Sequence, residues 1–122
     1  MHKGMEKQQQ IEEVVRQFLG SYMSARPQSI LVDLHDSHVL VTLRQVICPA
    51  EREYAREHNS RERLERLSCE AFDGVKAELE KAVTRIMGRR VLQSRINLDP
   101  PTGDAILMLV MEESMKPRGV NR

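Results

Sequence analysis

The apolar residues of this chain change their spacing three times, and those changes limit the fold more than any other feature. Ile11, Val14, Val15, Phe18, Leu19 and Tyr22 recur at three- and four-residue intervals, the mark of a helix with one buried face. Ile30, Val32 and Leu34, and then Val39, Val41 and Leu43, instead occupy every second position. A strand sends alternate side chains to opposite sides, so each run predicts a strand with one face in a core. Helical spacing returns from Leu64 to Ile86 through Leu67, Ala71, Phe72, Val75, Leu79, Ala82 and Val83. Strand-like runs close the chain at Val91–Leu98 and Ile106–Met111.

The residues between these segments are breakers of matching kinds. Pro27 ends the first helix, because proline disfavours helical geometry in the residue before it. His35-Asp36-Ser37-His38 supplies a turn and no apolar anchor. At Cys48-Pro49-Ala50-Glu51 the proline fits the first position of a helix, where its missing N–H is not needed, and this short helix is expected to run to about His58. Asn59-Ser60 interrupts it, with Ser60 a candidate cap for the long helix that follows. Gly88 is placed to close that helix in left-handed geometry, and Asp99-Pro100-Pro101-Thr102-Gly103-Asp104 is a dense turn signal. The resulting order, α-β-β-α-α-β-β, predicts an α+β fold: a mainly antiparallel four-stranded sheet with helices packed on a face. Val91–Leu98 is the most polar run and suits an edge. Ile106–Met111 is nearly continuous and suits a central strand covered on both faces. Leu31 and Leu40 fall on the outward side of the first hairpin, so the second face is expected to be partly covered, by another subunit.

A chain of 122 residues fits one domain and removes roughly two-thirds of its unfolded surface from water on folding. With no internal repeat and no linker-like stretch, residues 1–122 are expected to form a single domain with a core over about 8–113 and frayed polar ends. The net charge of +1, evenly divided along the chain, provides no global attraction to nucleic acid or an anionic membrane. The N-terminus lacks the apolar core of a signal peptide, and Ala105–Met111, the longest apolar run, is far too short to cross a bilayer. Cys48 and Cys69, the two cysteines, form no CxxC pair or disulfide framework. A cytoplasmic protein without direct membrane insertion follows, in which any membrane role is exercised through a partner.

The order of short motifs carries a resemblance. A helix leads into Arg26-Pro27-Gln28-Ser29-Ile30, then a hairpin, then Val46-Ile47-Cys48-Pro49-Ala50-Glu51-Arg52. The long helix ends in Ile86-Met87-Gly88, and the last hairpin turns on Asp99-Pro100-Pro101-Thr102-Gly103. Over about residues 8–113 this succession resembles the MpsC-like family, whose usual marks are a glycine-proline before the first strand, a Leu-Thr-Pro-x-Glu helix start and a Thr-Gly turn between the last strands. Two positions depart from that pattern. Ala25-Arg26 stands where glycine is usual, and Cys48 replaces a threonine that would cap the helix better. The resemblance implies an association with a bacterial sodium-translocating, membrane-potential-generating system, and small stand-alone cytoplasmic proteins. It implies no catalytic residues.

Three clusters invite a chemical reading. His35 and His38 with Asp36 and Ser37 could touch a metal, but a site needs three or four converging ligands, and a solvated turn explains them better. Cys48, just ahead of a helix N-terminus, could have an activated thiol, although a small residue in a cap position accounts for it. Arg85, Arg89, Arg90 and Arg95 lie in a stretch without acidic residues from Lys81 to Asn97 and could bind an anion. Arginines at a helix C-terminus ordinarily complement its dipole, and few aromatic residues are available to stack on bases. The mixed Arg/Glu run from Glu51 to Glu70 reads as a solvated helix face. No Gly-rich phosphate loop, GxSxG or HExxH is present. The expectation is a non-enzymatic accessory or regulatory protein that needs no cofactor or metal. It acts through protein–protein contacts as a homodimer, with a membrane-protein partner. The alternative is a binding module for a small anion or nucleotide at the arginines near Gly88, and an enzyme of unrecognised type is the least favoured reading.

Overall fold

The computed structural model describes residues 3–47, 49–58, 60–99 and 101–113. Its elements are α1 (Lys3–Tyr22), β1 (Ser29–Leu34), β2 (His38–Arg44), α2 (Pro49–Glu57), α3 (Arg61–Met87), β3 (Val91–Asp99) and β4 (Asp104–Met111). The four strands form one sheet in the order β1-β2-β4-β3, with every neighbouring pair antiparallel. This is the α+β arrangement that the spacing predicts, with helices on one face of the sheet.

Two helices supply the cover. α1 lies along β1 and α3 along β3, and the two helices also touch each other. Ile11, Val15, Phe18 and Leu19 of α1 and Phe72, Leu79 and Val83 of α3 are buried, and Phe18 meets Phe72 edge to face at 6.0 Å between ring centres. Between them lie the inward residues of the central strands: Val39, Val41 and Leu43 of β2, and Ala105, Leu107, Leu109 and Met111 of β4. The edge strand β3 is tied to α3 by side chains. Ser94, a buried polar residue, has its hydroxyl on Glu80, Lys76 Nζ donates to the Ser94 carbonyl at 3.4 Å, and the Cys69 thiol donates to the Ile96 carbonyl at 3.5 Å.

The ends of the elements show which local signals the chain uses. Gly88 adopts φ 73° and donates its N–H to the Thr84 carbonyl, the left-handed closure that glycine makes without strain. The first helix ends differently: Ser24 takes φ 51°, ahead of the buried Pro27. α1 begins at Lys3, eight residues ahead of Ile11, where the apolar stripe starts, because Lys, Glu and Gln sustain a helix well and Gln8 Nε2 donates to the Val32 carbonyl of β1 at 3.0 Å. Ser60 occupies the cap position of α3 but makes no side-chain cap bond; its carbonyl accepts the Leu64 N–H at 3.0 Å. The start of α2 at Cys48 and the tail beyond residue 113 lie outside the described residues.

β4 is central, and the helices of the chain cover one of its faces, while Ile106 on the other remains 46% exposed. Continuous apolarity in this strand therefore exceeds what the helices of one chain cover. A direct comparison follows from adjacent positions. Leu107→Ala is expected to cost about 2–5 kcal/mol by leaving a cavity, whereas Ile106→Thr is expected to stay within about 1 kcal/mol in a dilute, single chain, both measured by urea unfolding.

Candidate functional site

The four arginines near Gly88 do not converge. Arg85 is exposed on the last turn of α3 and borders the surface between α3 and α1. Arg89 is engaged structurally: one Nη1 donates to the Asp36 carbonyl at 2.7 Å and to the Glu112 carbonyl at 2.6 Å, and lies 3.7 Å from the Asp36 carboxylate. It thus joins the β1–β2 turn to the end of β4, with its side chain 17% exposed. Arg90 is exposed and its backbone pairs with Glu112. Arg95 points away from α3, because Ser94 and Ile96 on either side of it face that helix and are buried. Strand alternation therefore puts Arg95 on the opposite side of the sheet from Arg85. Arg89→Ala is expected to lower stability by about 1–3 kcal/mol, as two carbonyls lose a charged donor, while Arg85→Ala should stay within about 0.5 kcal/mol; thermal or urea unfolding measures both.

Cys48 lies outside the described residues. Cys69 is half-buried on α3 and occupied by the Ile96 carbonyl. The rings of His35 and His38 stack with centres 4.7 Å apart, and Ser37 Oγ is 3.0 Å from His38 Nδ1. Among the described residues no group of three or more His, Cys, Asp or Glu side chains converges as a metal site would need.

The feature that reading the chain in order does not display is the uncovered face of the sheet. Once the registers are known, Leu31 and Thr42 stand beside Ile106 and Asn97 in one row across the four strands, and Asp33, Leu40, Met108 and Arg95 make the next row. Val110 extends the apolar centre opposite His38. Leu31 is 60% exposed, and Leu40, Met108 and Val110 are only half-buried. Isolated exposed leucines are ordinary, whereas a contiguous apolar patch with a polar rim marks an interaction surface. Leu31 and Leu40 were the only part of this signal visible in the first hairpin alone.

A second group of residues fixes the near end of that face. Gly103, at φ 82°, is a buried turn residue whose carbonyl accepts both the Val46 N–H at 2.7 Å and the Ile47 N–H at 3.1 Å. Asp104 accepts the Gln45 N–H at 2.9 Å and pairs with Arg44 at 3.4 Å, while Gln45 Nε2 donates to the Thr102 carbonyl at 2.9 Å. The Thr-Gly turn thus fastens the last hairpin to the exit of β2. This gives a physical reason for the glycine, since the left-handed backbone is strained for other residues.

The family model described as "Na+-translocating membrane potential-generating system (MpsC)" matches residues 3–113, which include α1, the whole sheet and the Thr-Gly turn. The chain belongs to the MpsC family. No curated protein and no solved structure matches it. Among the described residues of this MpsC-family chain no helix is long and apolar enough to cross a membrane.

Proposed function

We propose that this MpsC-family chain is a non-enzymatic, cytoplasmic accessory protein that works through protein–protein contacts on behalf of a Na+-translocating membrane system. The observation that carries the reading is the open sheet face. Its apolar centre at Leu31, Leu40, Ile106 and Met108 is presented by rigid strands and bordered by Asp33, Arg95 and Asn97. Protein-binding surfaces have this arrangement of an apolar middle and polar rim. The family description supplies the system to which such contacts would contribute. The bordering charges make the surface selective, because a partner that leaves them unpaired loses affinity.

Complementation tests this. Cells lacking the chain are expected to show a reduced Na+-dependent membrane potential, read with a potential-sensitive dye, and the native chain should restore it. Met108→Glu, expressed at the same level and equally stable, should fail to restore it. Full restoration by that variant would contradict the reading.

A further inference from the structure

The open face has a pattern that fits one particular occupant. In the row formed by Asp33, Leu40, Met108 and Arg95, the carboxylate and the guanidinium stand at opposite edges of the sheet, with the apolar pair between them. Among the described residues neither Asp33 nor Arg95 has an ion-pair partner. Three strand spacings of about 4.8 Å separate them by roughly 14 Å, too far for them to pair with each other. Nearer the Thr-Gly turn, Arg44 on β2 and Asp104 on β4 flank the sheet's midline and pair at 3.4 Å.

We infer that this face receives the same face of a second copy of the chain, related by a two-fold axis parallel to the strands and running between β2 and β4. The inference rests on the reading of the open face as a docking surface. Such an axis carries β1 over the partner's β3 and β2 over the partner's β4. Asp33 then faces Arg95 of the partner subunit, and the reciprocal pair forms at the other edge. Leu40 meets the partner's Met108, Thr42 meets the partner's Ile106, and Arg44 meets the partner's Asp104. A two-fold across the strands would instead lay Asp33 over Leu31 and leave the carboxylate desolvated without a partner, which is costly.

The dimensions are compatible. Sheets pack face to face about 10 Å apart with strands within roughly 30° of alignment, a gap that an arginine from one edge and an aspartate from the other can bridge. Four strands at about 4.8 Å and roughly seven residues at about 3.3 Å define a face of about 400 Å² in projection. Two contoured faces of that size bury on the order of 1,000 Å², the area at which specific interfaces begin. The result is a four-layer assembly, helices outside and two sheets within, and it accounts for the continuous apolar run of β4. That strand is covered on one face by helices and on the other by its copy.

Sedimentation of the full chain tests the geometry. The native chain is expected to be dimeric at micromolar concentration. Asp33→Arg and Arg95→Asp, each verified as folded by circular dichroism, should each raise the dissociation constant about tenfold or more, because each homodimer then contains two like-charge pairs. An equimolar mixture of the two variants should associate again, since the mixed dimer regains both opposite-charge pairs. The double variant on one chain should do the same. A native chain that stays monomeric up to about 100 µM overturns the inference; if Met108→Glu still fails in complementation, the face serves a different protein and the proposed function stands. A dimer indifferent to both charge variants also overturns it, by placing the contact elsewhere.

Discussion

Val39, Val41 and Leu43 of β2 lie directly beside Leu109, Leu107 and Ala105 of β4, and all six are essentially without exposure. The other elements are arranged around this block. β1 and β3 flank it, and α1 and α3 lie over its inner side. The two strands that form it are separated by two helices and an edge strand in the sequence, so theirs is the most non-local strand pairing of the sheet and carries its entropic cost. The turn at Thr102-Gly103-Asp104 offsets part of that cost. Gly103 and Asp104 bind the backbone of Gln45, Val46 and Ile47, holding the end of β2 against the beginning of β4 in one register. Because side chains alternate along a strand, a slip of one residue would exchange the buried and open faces.

The register also explains how much could be read from the chain. Helix and strand positions were legible because their apolar spacing is strong and because Gly88 and the 99–104 turn act locally, whereas the first helix ends at Tyr22 with Ser24 left-handed, ahead of Pro27. Ser60 shows the limit of such local signals. It stands at the expected cap position, but its hydroxyl makes no cap bond. The arginines show a different limit. Arg85, Arg89, Arg90 and Arg95 are close in sequence, but the chain reverses at Gly88 and strand alternation turns Arg95 to the far face. Arg89 is drawn into holding Asp36 and Glu112, a role that depends on contacts distant in sequence.

Beyond Leu31 and Leu40, the open face was illegible for the same reason. Leu31, Leu40, Ile106 and Met108 come from three strands, and they form a patch only when β4 is inserted between β2 and β3. From sequence alone the apolar run of β4 points to a strand covered on both faces, and the helices of the chain cover one of them. Membership of the MpsC family gives this one-sided sheet a context in Na+ translocation, and the proposed docking role rests on the open face with Asp33 and Arg95 at its edges.

In the proposed assembly the sheet has one face committed to its own helices and another committed to a second copy of the chain. Methyl NMR with a soluble paramagnetic reagent, followed through a dilution series, tests it most directly. Methyl signals of Val41, Leu107 and Leu109 should stay protected at every concentration. Those of Leu31 and Ile106 should be broadened in dilute solution and become protected as the chain is concentrated. Protection of Leu31 and Ile106 in the dilute chain, or equal broadening at every concentration, would contradict the account.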